Sequence, residues 1–431
     1  MKLTRILSSA AVVSALVAAP AIGQETIAIR GAKITTMAGP VIESGTVVIQ
    51  NGLITAVGAD VPVPAGARVI DGSGLEVYPG MFDAVTQLGL TEIGAVDVTN
   101  DRMELGTFNP HLLGRTAVHP SSAHIPVARA SGITHAVAAP DARSGGIGGQ
   151  ASLMHLNGWT IEEMLIDESV GFVVSWPSLR GGGRRFGGFG RGGGGGNYEQ
   201  QLERYDAAVD QLDEWITQSR QYDQAVKAGS DLPRDLRLEA MGRVISRDRP
   251  LLINASTVKQ MRDAIAFAER NDVRIVLLRA TEAYQMADEL AAANVPLIIG
   301  PTQSMPRDEI SYDQMYGMPG VLYDAGVKFA LATFNAANSR TLPYEIGSAV
   351  SFGLPRDEAL KAITINAAEI YGFGDQLGSI EEGKIANLVV TDGDLLEIAT
   401  QVKFVIINGV DVGLDNKHLE LYEKYRARPK R

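Results

Sequence analysis

The sequence predicts an α/β fold, a TIM (β/α)8-type barrel joined to a small composite β-sandwich built from both chain ends. Three observations carry this expectation. The middle of the chain alternates short β-rich runs with amphipathic helical stretches, the pattern of a parallel sheet. Segments rich in β-formers, each with a hairpin signal, bracket that middle on both sides. The length of 431 residues favours a closed barrel over an open doubly wound sheet.

From the N-terminus, Met1 to Gly23 reads as a secretory signal peptide. Lys2 and Arg5 precede an apolar run from Ile6 to Ala19, and small residues follow before Gln24. The expectation is therefore an exported, periplasmic, soluble protein; no later apolar run approaches the ~18 residues that span a bilayer. Residues 24–78 form the first part of the sandwich. Thr26 to Arg30 alternates, and Thr46–Gln50 and Leu53–Val57 are joined by Asn51-Gly52, a strong hairpin signal. Residues 79–374 form the barrel, with strands read at Ile133–Ala139, Pro250–Ile253, Val273–Leu278, Val295–Ile299 and Val327–Ala332. Helices read at Val258–Arg270 and Thr281–Ala293, the latter stopped by Asn294 and Pro296. Residues 180–196, rich in glycine and arginine, read as a low-complexity loop, and Tyr198 to Lys227 as a long charged helix outside the barrel. Residues 375–413 complete the sandwich, and residues 414–431 form a basic tail helix whose late positive charges complement the helix dipole.

Composition narrows the function classes. The chain has no cysteine, which removes disulfides, thiolate metal sites and a cysteine nucleophile. Its formal charge of −11, or −13 once Lys2 and Arg5 leave with the signal, argues against nucleic acid or an anionic membrane as main partner. Gly145 to Gly149 lacks the Lys-Ser/Thr ending of a phosphate-binding loop and reads as a turn.

Pro79-Gly80-Met81-Phe82-Asp83-Ala84-Val85-Thr86-Gln87 resembles the first barrel strand of the amidohydrolase superfamily, which writes Pro-Gly-(Leu/Phe)-Ile-Asp-Ala-His-x-His there. Ala359 to Ala368 and Gly378 to Val390 are similar to its closing signatures, with Glu382 for the usual Pro and Asn387 for the usual Asp. Ile125 to Thr134 and Gly145 to Gln150 resemble an exported imidazolonepropionase-like subgroup. The resemblance implies hydrolysis of carbon-nitrogen bonds other than peptide bonds in small amide-like substrates. It also implies zinc or another divalent metal, which lowers the pKa of a bound water while a carboxylate on strand eight takes the proton.

The positions that would hold this metal are substituted. Val85 and Gln87 replace the two histidines of strand one, strand five ends at Asn254, strand six at Arg279, and strand eight in Thr333-Phe334-Asn335, with Phe334 in place of the general base. Amides are poor zinc ligands. A guanidinium would repel a dication at about 4 Å by roughly 8 kcal/mol at an effective dielectric of 20. Asp83, inside the motif, is assigned a structural role. No cofactor is expected, and Gln87, Asn254, Arg279 and Asn335 are the expected lining of a mouth that binds a small anionic or amide ligand. The expected function is a low-activity or non-catalytic ligand-binding subunit, with an active amidohydrolase relative or a second copy as possible partner.

Two alternatives stand beside this reading. In one, metal ligands come from other positions, such as His111, His119 and His124, leaving an active hydrolase; in the other, the glycine-arginine loop serves an interaction protein. His135, His155 and His418 show no ligand pattern, His155 belonging to a β excursion and His418 to the tail helix. Glu92, Asp97, Asp101 and Glu104 follow strand one, placed either to reach the mouth or to solvate a loop.

Overall fold

The computed structural model describes residues 25–179, 198–305 and 310–429. The expected signal peptide and the glycine-arginine loop lie outside the described residues. Two eight-stranded sheets organise the rest. One is built from both chain ends: β1 (Ile27–Ile34), β2 (Ile42–Gln50), β3 (Leu53–Gly58), β4 (Arg68–Asp71) and β5 (Glu76–Pro79) join β14 (Leu388–Thr391), β15 (Val402–Ile407) and β16 (Val410–Asp411). β1 pairs with β2, β4 and β5, so the sheet branches and closes on a core that includes Ile27, Ile29, Ile49, Leu388 and Ile406. Alternation along β15 shows why this sheet sits where it does: Ile406 faces that core, whereas Val405 and Ile407 join the core shared with the barrel. The Asn51-Gly52 hairpin has φ of 52° and 81°, the left-handed pair that suits this turn.

The second sheet is the barrel, in the order β6 (Met81–Thr86), β7 (Ile133–Ala138), β8 (Gly146–His155), β9 (Leu165–Ser175), β10 (Leu251–Ala255), β11 (Ile275–Arg279), β12 (Leu297–Ile299) and β13 (Phe329–Leu331). Closure comes from the Phe334 N–H donating to Val85 O at 2.9 Å and the Thr333 N–H donating to the Asp83 carboxylate at 2.9 Å. The structural role assigned to Asp83 is thus visible as a tie between the first and last strands.

Seven strands run parallel and β8 runs against both neighbours. The cause is connection length. Only residues 139–145 separate β7 from β8, and a parallel crossover needs a dozen or more. The turn read from sequence over Gly145 to Gly149 is accordingly confined to Gly145, with φ of 75°, and Gly146 to Gly149 start a buried strand. Its glycines admit neighbouring backbone: a Cβ on Gly148 would stand 2.1 Å from Asp141 O, and one on Gly146 2.3 Å from Thr107 O.

The helix Val258–Asn271 begins with a capping box between Thr257 and Gln260. The long helix Tyr198–Lys227 packs outside the barrel through Leu212 and Ile216, while its Tyr205 reaches the rim and accepts from Trp176 Nε1 at 2.9 Å. The expected helix Thr281–Ala293 is broken, a 3-10 turn at Ala283–Gln285 preceding a short helix Ala287–Ala292. No described helix is long and apolar enough to cross a membrane.

Candidate functional site

In a parallel barrel the ends of the strands converge at one mouth, and side chains just beyond them face it. At strand one, Val85 is buried and shares an apolar cluster with Val173, Leu252, Val276, Leu278 and Phe334, so two of the substituted metal positions are filled with hydrocarbon. Gln87 Nε2 faces the Asp141 carboxylate at 3.4 and 3.5 Å, and its Oε1 accepts from Arg102 at 3.4 Å. Arg102 Nε is itself 3.4 Å from Asp141 Oδ2. Gln87 is therefore a spacer within a charged trio.

Arg279 ends β11 with φ of 66°, and Ala280 and Phe334 also have positive φ, 42° and 53°. Left-handed backbone at three non-glycine residues is uncommon and gathers where function demands it. The Arg279 guanidinium carbon stands 4.3 Å from the centre of the Phe334 ring. It makes no hydrogen bond or ion pair with any described residue. Burial lowers its pKa, and the charge of Asp141 opposes that shift.

Asn254 and Arg279 share the wall of a cavity of about 640 Å3 with Ser144, Ser175, Ser256 and Lys259. Lys259 is already engaged, 2.7 Å from Asp263 and over the Tyr205 ring. Asn335 does not join this wall: it is exposed, and its Oδ1 accepts from the Asn338 N–H at 3.0 Å. Of the four residues expected at the mouth, the structure brings Asn254 and Arg279 together, sets Gln87 beside Asp141, and turns Asn335 into a local turn.

Below the rim lies a hydroxyl network around a buried acid. Asp83 accepts from Thr333 Oγ1 at 2.5 Å and Ser339 Oγ at 2.9 Å, and Thr86 bonds Ser339. Burial pushes the Asp83 pKa up to about 6 against these hydrogen bonds. Glu345 accepts from the Thr302 N–H at 3.0 Å; burial, and secondarily the charge of Asp83, raise its pKa to about 7. Asp141, Arg102 and Glu345 were not anticipated from sequence. Asp141 stands two residues past the strand-like run that ends at Ala139, and Glu345 is the one charged residue in an otherwise uncharged helix, Leu342–Val350; both are readable signals.

The histidines stay apart in role. His119 bonds Ser121, His124 bonds the Glu92 carbonyl, and Glu92 receives Ser122 Oγ and the Ala123 N–H at the start of the helix His124–Ala130. Asp97, Asp101 and Glu104 are exposed. His135 and His155 are buried at the sandwich side, facing Asn387 and Asn408 at 2.9 Å each, and His418 is exposed on the tail helix. Among the described residues, no group of three or more His, Asp or Glu is placed to hold a metal ion. The mouth offers amides, the guanidinium groups of Arg102 and Arg279, a phenyl ring and the single carboxylate of Asp141, a donor set that does not fit zinc.

Comparison with known proteins agrees with this architecture. The model of the Amidohydrolase family matches residues 224–412. The chain is 25% identical over 406 residues to the amidohydrolase tasK of Hapsidospora irregularis, covering 85% of this chain but 39% of that protein. An imidazolonepropionase of Thermoplasma volcanium is 34% identical over 97 residues, 21% of this chain and 23% of its own. The chain thus spans about two fifths of the first of these relatives and about a quarter of the second. The crystal structure of an amidohydrolase from Thermotoga maritima superposes with a TM-score of 0.77 at 24% identity, covering 90% of this chain and 99% of that one, and shares the fold. Its matched segment and its relatives support membership of the amidohydrolase superfamily, and its barrel shares that fold.

Proposed function

We propose that this protein keeps the frame of a carbon-nitrogen hydrolase and uses its mouth to bind a small anion, without a hydrolytic metal centre. The observation that carries the reading is Arg279: a half-buried guanidinium with no hydrogen-bond or ion-pair partner among the described residues, on one cavity wall with the Asn254 amide. A desolvated guanidinium recognises a carboxylate or phosphate strongly and discriminates against cations. The same charge, with Val85 and Phe334 in the apolar cluster, opposes a dication. Gln87 supports the site indirectly by holding Asp141 and Arg102 in place.

The test is calorimetric titration of the full chain with acetate and inorganic phosphate, beside metal analysis after dialysis against EDTA. The expected result is one anion per chain, weakened about tenfold or more in Arg279→Met and recovered in part in Arg279→Lys. One equivalent of zinc retained through EDTA, or anion binding indifferent to both substitutions, overturns the reading.

A further inference from the structure

Arg279 lines two cavities. Besides the larger one, it borders a second of about 240 Å3, whose wall includes Pro301, Met305, Ile310 and Met315. The two differ in chemistry. Ser144, Ser175 and Asn254 give the larger lobe hydroxyl and amide groups, and Trp176 contributes to its floor. In the smaller lobe the Thr281 hydroxyl is spent on the Ser256 carbonyl at 3.0 Å, and Ser256 and Ser304 share its wall with the thioether and aliphatic surface of Pro301, Met305, Ile310 and Met315. Met315 is 5% exposed and Met305 is 91% exposed, so one thioether closes the lobe and the other stands at its lip. Methionine, unbranched and polarizable, adapts to unbranched chains.

We infer that the ligand is an amphipathic monoanion, its carboxylate on Arg279 and an unbranched aliphatic tail in the lobe of Pro301, Met305, Ile310 and Met315. This rests on the anion-binding reading above and adds the tail. The hydroxyl-lined lobe beside Arg279 holds the water that solvates the outer face of the carboxylate, while the apolar lobe excludes it. Tail burial supplies affinity and the guanidinium supplies selection against uncharged analogues.

The experiment titrates the full chain with sodium acetate, sodium octanoate and 1-octanol. Octanoate is expected to bind about tenfold or more tighter than acetate, and about tenfold or more tighter than 1-octanol. Met315→Gln is expected to bring octanoate down toward acetate and leave acetate unchanged; Met305→Gln, at an exposed position with little bearing on folding, is expected to do so in part. Equal affinity for octanoate and acetate in the unaltered protein ends the tail inference while the anion site stands. Equal affinity for octanoate and octanol, insensitive to Arg279→Met, ends the anion site as well, and so does absence of binding by all three.

Discussion

The Arg279 guanidinium carbon stands over the Phe334 ring, 4.3 Å from its centre, so the end of β11 and the residues after β13 are joined across the mouth by a cation and a phenyl ring. Such a stack is worth about 0.5–2 kcal/mol depending on desolvation. It also explains how a lone charge is tolerated there. The ring shields one face and leaves the other open to the cavity.

Restoring the superfamily's carboxylate at this place is therefore expected to build an ion pair and not a metal site. In Phe334→Asp the new carboxylate lies within reach of Arg279 and occupies its anion-binding face. Acetate affinity measured by calorimetry is expected to fall about tenfold or more. Zinc content after EDTA dialysis is expected to stay near zero. An equivalent of firmly held zinc in this variant would show that the remaining donors suffice.

The buried acids predict an unusual pH response. Glu345 and Asp83 have pKa values raised to about 7 and about 6, from ordinary values of 4.5 and 3.8. Between those limits the folded chain retains protons that the unfolded chain has released. Their contribution is thus fully present below about pH 4 and is lost as pH rises through 7. Glu345→Gln keeps an acceptor for the Thr302 N–H and removes the titration. The stability of this variant relative to the unaltered protein is expected to rise from pH 5 to pH 8 by on the order of 2 kcal/mol, read from urea midpoints. A difference that does not change with pH would refute the assignment.

The seam between barrel and sandwich rests on a neutral imidazole. His135 is fully enclosed, and burial lowers its pKa to about 3. Its Nδ1 bonds Thr134 Oγ1 at 2.8 Å and its Nε2 faces Asn387 Nδ2 at 2.9 Å, the tautomer in which Nδ1–H donates and Nε2 accepts. Asn387 Oδ1 in turn accepts the Asn408 N–H at 2.8 Å. Asn387→Leu leaves the buried Nε2 of His135 without its Asn387 partner and removes the Oδ1 that accepts the Asn408 N–H, and a loss of about 1–3 kcal/mol for the orphaned imidazole nitrogen is expected in urea unfolding. Asn387→Asp is expected to recover the Asn408 bond but to set a carboxylate against Nε2, making stability rise as pH falls and His135 protonates. Equal stability of all three proteins would remove the seam from the account.

What could be read from sequence follows local chemistry, and what could not follows from long-range contact. Asn51-Gly52, the Pro79 to Gln87 motif and the substitutions at Asn254 and Arg279 are legible because each rests on a turn signal or a strand end. The reversal of β8 was missed because periodicity reports strand but not direction; only the brevity of residues 139–145 carried that information. The meeting of Gln87, Arg102 and Asp141 joins two loops after different strands, and no spacing announces it. Asn335 was misplaced because the left-handed turn at Phe334 redirects the chain, and its amide serves the turn.

Gly148 is where that hidden geometry is most open to attack. Its would-be Cβ stands 2.1 Å from Asp141 O, 2.7 Å from Asp141 C and 3.0 Å from Ala142 Cα, all backbone atoms that cannot swing aside. Gly148→Ala must lift the segment that carries Asp141, which is tied down by its N–H donating to Arg102 O at 2.6 Å and by its ion pair with Arg102. Overpacking of this kind costs about 1–3 kcal/mol. Gly39→Ala, with nothing within 4 Å of its Cβ, serves as the control and is expected to leave the urea midpoint unchanged. Because Asp141 is the carboxylate that faces Arg279 electrostatically, its displacement frees the guanidinium. Acetate is expected to bind Gly148→Ala, and likewise Asp141→Asn, several-fold more tightly than the unaltered protein, since the first displaces and the second removes a competing negative charge. Weaker acetate binding in Asp141→Asn would mean that this carboxylate helps to hold the anion, and the electrostatic account of the mouth would have to be reversed.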